Sequence, residues 1–207
     1  PRHRHRSERA PAGRVTETLS YYYDYTTGAG WDWGVPHRTV YNAYGEVVTT
    51  TVNGATSGEN RYDGAGRLIA TTSGDGVWKH FGYDANGNQT IAITSAGVSL
   101  AGLTFDQALA LVGDEGVNAT YTQYDARGQA VSVTEEQRRL SSGTVQTLTS
   151  TRSYNAFGDV ASEANALGAT TSYSYNNIGR MIRSEGPTVQ ITLENGVTQW
   201  VRPAQDL

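Results

Sequence analysis

The sequence predicts an all-β chain of tandem antiparallel β-hairpins. Three observations carry that prediction: a composition that favours strands, a five-residue signature that recurs at a near-constant interval, and an alternating apolar and polar segment after each copy of the signature. Among 207 residues there are 24 Gly and 13 Tyr against a single Met, with Thr and Val abundant and Leu sparse. Aromatic and β-branched side chains suit a pleated surface, whereas helices draw on Leu, Met and Ala. The length allows one large β domain or a run of repeats with a core of its own.

The signature is Tyr, then Asp or Asn, two variable residues and Gly. Its six copies are YNAYG from Tyr41 to Gly45, YDGAG from Tyr62 and Asp63 to Gly66, YDANG from Tyr83 and Asp84 to Gly87, YDARG from Tyr124 and Asp125 to Gly128, YNAFG from Tyr154 to Gly158, and YNNIG from Tyr175 to Gly179. Tyr41 to Tyr62, Tyr62 to Tyr83 and Tyr154 to Tyr175 are each 21 residues apart. The other two intervals are 41 and 30 residues, one period with about 20 and 9 residues inserted. A 21-residue unit holds two strands of about seven residues and two turns, so each unit is predicted to be one hairpin.

The signature accounts for the first turn of each unit. Asp or Asn can bond the backbone downstream of itself and open a type I turn, and the Gly can take the positive φ of the bulge that restores pairing. Segments such as EVVTTT from Glu46 and RLIATT from Arg67 then read as return strands. The second turns are less regular; Ser73-Gly74-Asp75-Gly76 and Asn165-Ala166-Leu167-Gly168 fit. Phe81 precedes Tyr83, and Tyr173 precedes Tyr175, by two residues, which puts both rings on one strand face, expected to be the packed one.

Two insertions interrupt the period, near 96–117 and 135–148. The first contains LTFDQALALVG from Leu103, where Phe105, Leu109 and Val112 could line one side of a short helix projecting from the sheet. The second contains TEEQRRL from Thr134, a charged hairpin extension read as a solvated loop. Residues 1–15 are basic and read as a disordered linker, and 16–207 as the repeat sheet, with YYYDYTTG from Tyr21 as a decayed first copy.

Charge and chemistry narrow the function. With 17% charged residues and a net charge of -4, nothing draws the chain to nucleic acid or an anionic membrane. Without cysteine there is no disulfide framework, thiolate metal site or cysteine nucleophile. No apolar run has the length of a membrane span, and the chain opens on Pro1 with no signal peptide in view, as expected of an internal piece whose export element lies elsewhere.

His3 and His5 form an H-x-H pair without further ligands, and His37 and His80 stand alone as surface or strand residues. Asp84, Asn86 and Asn88 mimic calcium-loop spacing, but the closing Glu is missing and other copies place Ala65 and Arg127 at such positions, which favours a plain turn. Glu185 and Glu194 could converge as a carboxylate pair, although sequence alone does not bring them together. No nucleophile elbow, zinc-protease helix or phosphate loop is present, so no catalytic, metal or cofactor residue is assigned and the chain is not read as an enzyme. Trp31 and Trp33 share a strand face and are the candidate glycan contacts of an alternative reading; rings at period two also fill a packed sheet face.

The six copies, with GRL from Gly66 and GRM from Gly179, resemble the YD repeat of the rearrangement-hotspot (RHS) family, and NALGATTSYSYNNIGRMIR from Asn165 is similar to a nearly complete unit of it. That resemblance covers about Tyr41 to Arg183. It implies a sheet of stacked hairpins that spirals into a cocoon. Such a shell encloses a C-terminal toxin or effector in bacterial polymorphic toxins and insecticidal toxin complexes, and a similar barrel belongs to the teneurin adhesion receptors. By the same resemblance, the partners are flanking repeats and an enclosed polypeptide, and the location is secreted or at a bacterial cell surface. A cell-surface adhesion or carbohydrate-binding module is the alternative. The self-cleavage motif associated with toxin release is not found in these residues.

Overall fold

The computed structural model describes the backbone of residues 3–9, 15–24, 30–33, 36–113, 116–139 and 145–207, and side chains within 36–113, 116–136 and 147–207. The described chain is almost wholly β, built of antiparallel strands with one short helix. It divides into two compact units, Pro1–Gly82 with Ile93–Ala110, and Tyr83–Ala92 with Leu111–Leu207.

The first unit contains β1 (His3–Arg9), β2 (Val15–Asp24), β3 (Gly30–Trp33), β4 (His37–Tyr41), β5 (Val47–Val52), β6 (Ala55–Tyr62), β7 (Leu68–Thr72) and most of β8 (Trp78–Tyr83). From β4 to β8 each strand pairs antiparallel with the next. β2 pairs with β1, β3 and β4. Strand β1 lies inside the 1–15 stretch that was expected to be a linker. The β5–β6 turn is Asn53-Gly54, with φ of 52° and 78°, the pair of positive values a two-residue hairpin turn requires.

β9 (Gln89–Ser95) precedes the first insertion. That insertion holds the helix α1 (Phe105–Ala110), within the segment expected to be helical. Thr104 caps it: its Oγ1 accepts the Gln107 N–H at 3.3 Å while Gln107 Oε1 accepts the Thr104 N–H at 2.9 Å, a capping box. The expected apolar side is wrong in detail. Ala108 is the buried residue and Leu109 is 37% exposed, because six residues make under two turns and offer one narrow contact stripe. Nor does the insertion project from the sheet: Leu100 and Ala108 are fully buried, and the Leu100 carbonyl meets the His80 ring of β8.

Buried side chains of the first unit concentrate here. Ala70 and Thr72 of β7, Trp78 and His80 of β8, and Ile93 and Ser95 of β9 are buried at alternate positions, so each strand gives one face to this core. Strands β4 to β6 have no fully buried residue.

In the second unit β10 (Val117–Tyr124), β11 (Ala130–Arg139), β12 (Val145–Tyr154), β13 (Val160–Ala164), β14 (Thr170–Tyr175) and β15 (Met181–Glu185) follow one another as antiparallel neighbours. The extension containing TEEQRRL is a paired hairpin for much of its length, in keeping with the hairpin extension read from the sequence, with Glu135 opposite Leu148 and Arg139 opposite Val145. After β15 the chain makes a separate hairpin, β16 (Val189–Thr192) with β17 (Thr198–Val201), and returns as β18 (Ala204–Asp206) to pair with β15.

Candidate functional site

What recurs in both units is the signature turn, and its geometry follows from residue chemistry. The carboxylate or amide oxygen of the second signature residue accepts two backbone N–H groups, two and four residues on. Asp63 Oδ1 accepts from Ala65 and Arg67 at 2.9 Å, Asp125 from Arg127 and Gln129 at 2.9 Å, and Asn176 from Ile178 and Arg180 at 3.1 and 2.9 Å. Asn42, Asp84 and Asn155 do the same. Asn165 repeats the pattern in a second turn of the repeat. Each signature Gly has positive φ, from 77° at Gly179 to 95° at Gly158. A side chain with Cβ is strained there, so Gly is the residue that fits.

The turn displaces the strand register by one residue, so Tyr62 faces Leu68, Tyr124 faces Ala130, Tyr154 faces Val160 and Tyr175 faces Met181, each six residues on. Sequence reading missed what the tyrosine hydroxyl does. Tyr62 donates to the Val47 carbonyl at 3.0 Å, Tyr124 to Gln89 at 2.9 Å, Tyr154 to Ala130 at 2.8 Å and Tyr175 to Val160 at 2.8 Å. Each acceptor lies six residues after the preceding signature Tyr, so each phenol clasps the return strand of the previous unit. That constant offset is the sequence signal that could have revealed it. The clasping rings are half-buried.

Neighbouring turns are tied as well: Arg127 donates to the Ala156 carbonyl and Gln129 to the Gly158 carbonyl, both at 2.9 Å. Asp84 is engaged as a turn acceptor, and the Asn88 amide donates to its second oxygen at 2.9 Å. That bond and the backbone donors hold its carboxyl below the usual aspartate value. For Asp63 the Arg67 backbone N–H leads, followed by the Arg67 guanidinium at 2.7 Å. Tyr175 and Tyr173 are pushed up by burial first, and Tyr173 also by its bond to Glu163.

The other candidates do not converge on chemistry. Glu185 is occupied by Arg183 at 2.9 Å and Arg202 at 3.5 Å, while Glu194 sits exposed in the β16–β17 turn. His80 is a strand residue, as expected, but a buried one. The side chains of His3, His5, Trp31 and Trp33 lie outside the described residues, and with them the glycan contacts. Among the described residues no group of three or more His, Asp or Glu could hold a metal ion, and no helix is long and apolar enough to cross a membrane. A shallow cavity of about 260 Å³ over β11–β13 is lined by Val131, Val133, Thr151 and the Arg152–Glu163 ion pair, without a free acid and base in opposition.

The family model described as RHS Repeat matches residues 62–99 and 154–198, spans that contain four of the signature turns. Those two segments are RHS repeats. No curated protein sequence matches it. Among solved structures, the crystal structure of TcdB2-TccC3 aligns at 14% identity and TM-score 0.36, covering 94% of this chain and 12% of that one. The Photorhabdus luminescens Tc holotoxin pore aligns at 12% identity and TM-score 0.37, with the same coverage. A porin-like protein from Bacteroides uniformis aligns at 12% identity and TM-score 0.31, covering 97% of this chain and 88% of that one. This RHS-repeat chain thus spans about an eighth of the length of the Tc chains it matches.

Proposed function

We propose that this RHS-repeat chain is a stretch of shell wall that encloses a toxin or effector polypeptide, and that its role is structural rather than enzymatic. The observation that carries this reading is the tyrosine clasp. It bonds the units of Tyr62, Tyr124, Tyr154 and Tyr175 each to the one before it, so that the phenols serve to hold the array together. Flanking repeats are the natural partners of such an array, because a stack of hairpins ends in strands whose outer backbone groups seek a further strand. A shell of this kind serves a secreted or surface-displayed protein.

Two measurements test the reading. Light scattering of the isolated chain should show self-association that grows with concentration; a monodisperse monomer at high concentration counts against the open edge. In the full-length gene product, the polypeptide beyond the repeats should resist protease until the repeats are denatured. Equal digestion before and after denaturation would remove the enclosing role.

A further inference from the structure

The first insertion adds a layer to the sheet. Leu100 and Ala108 have no exposed surface, and the face of β7, β8 and β9 beneath them contributes Ala70, Trp78, Ile93 and the polar trio Thr72, His80 and Ser95, all buried. A sheet face of this kind must be covered by a second layer, and residues 96–110 supply it. One polar contact pins the cover in place: the Leu100 carbonyl accepts a hydrogen bond from the Nε2–H of His80 at 3.3 Å.

His80 is the anomalous member of that interface. It is 2% exposed, and a charged imidazole taken from water into such a place needs a compensating anion. None faces it closely. β7, β9 and residues 96–104 contain no ionisable side chain. On β8, Lys79 is exposed and alternates to the opposite face; on α1, Asp106 is exposed. On β6, Glu59 is in register with Thr72 and Trp78, whereas Arg61 is in register with Ala70 and His80. The Arg61 guanidinium lies over the Trp78 ring, 4.5 Å from its centroid, so the charge in register with His80 is a positive one.

We infer that residues 96–110 are an acid-released cover over the β7–β9 face, and that protonation of His80 is what loosens it. Burial holds the imidazole below its ordinary value of 6.5, with Arg61 acting the same way and the Leu100 carbonyl opposing both. Well above 6.5 the ring is neutral whether the cover is closed or open, and the closed form has its full stability. As the pH falls below that value the solvated ring of the open form takes up a proton first, and the equilibrium moves toward opening. One proton can raise the open population by at most about tenfold per pH unit, until the covered ring titrates as well. Opening exposes Trp78 and Ile93 as an apolar surface. This inference rests on the first unit alone and stands independently of the shell reading.

Amide hydrogen exchange on the intact chain, corrected for the intrinsic pH dependence of exchange, tests it. Between pH 7 and pH 5 the protection of peptides spanning 96–110 should fall measurably, by at most about 25-fold for one proton taken up by the open form. In His80→Gln, whose side-chain amide can still donate to the Leu100 carbonyl but does not titrate, protection should be independent of pH. An unchanged wild type, or an equal fall in the variant, overturns the inference. Should the variant fail to fold, exchange at the His80 C2–H in the wild-type chain decides. An inflection below 6.5 that coincides with the loss of protection supports the acid release, and one at or above 6.5 refutes it.

Discussion

Replacing Gly87 by Ala isolates the backbone requirement of the signature turn. Gly87 has φ of 88°, and a Cβ built on it meets no atom within 4 Å, so the substitution creates strain without a clash. A left-handed residue with Cβ costs about 1–2 kcal/mol, and the stiffer unfolded chain offsets part of it, leaving a net loss of about 1 kcal/mol. Gly74 is the contrast. Its φ is 80°, but its Cβ would lie 2.8 Å from the Ser57 Cα and 2.8 Å from the Thr56 carbonyl oxygen, backbone atoms that cannot swing aside. Overpacking of that kind adds about 1–3 kcal/mol, so Gly74→Ala should lose about 2–4 kcal/mol. Gly87→Asn should lose less than Gly87→Ala, since Asn tolerates positive φ, as Asn53 does here at 52°. Urea unfolding followed by tyrosine and tryptophan fluorescence reads all three as midpoint shifts at constant slope. Equal losses at positions 74 and 87, or no loss at Gly87→Ala, would refute the turn assignment.

Tyr175→Phe removes only the hydroxyl that reaches Val160 and should lower stability by about 1 kcal/mol; no change in the urea midpoint would deprive the clasp of energetic meaning. Leu100→Ala should cost about 2–5 kcal/mol, the loss typical of a fully buried leucine, and a value below 1 kcal/mol in the same assay would show that the insertion is not a core layer. Asp63 and Asp84 have carboxyls depressed below 3.8, so their contribution is complete above that pH and is lost as the pH falls beneath it. The double Asn variant, which keeps the turn acceptor as Asn42, Asn155 and Asn176 do, should therefore show a shallower acid loss of stability below about pH 4 than the parent, and an identical acid profile would contradict this.

The turns were legible because their information is local. An Asp or Asn acceptor and a Gly three residues later fix a turn whatever surrounds them, and the interval of 21 residues fixes the hairpin around it. Asn53-Gly54 was equally local and was overlooked, although the dipeptide is a strong hairpin signal. The location of the core was not local. Ala70, Thr72 and His80 look like ordinary strand residues, and the contact that meets the buried His80 ring comes from Leu100, 20 residues further along the chain. Periodicity in so short a helix could not choose between Leu109 and Ala108, because six residues sample too little of the turn. The phenol bonds were hidden for a different reason: repetition reveals that a residue matters, while its partner emerges only once strand register is known.

The clasp also explains how the array accepts ornament. Its acceptor is counted forward from a turn, never backward from the next tyrosine, so 41 residues between Tyr83 and Tyr124 leave the bond to Gln89 as short as its counterparts. New sequence grafted at the far end of a hairpin therefore goes unnoticed by the fastening. Such an architecture can acquire decorations, as it has between β9 and β10, without renegotiating the seam between modules.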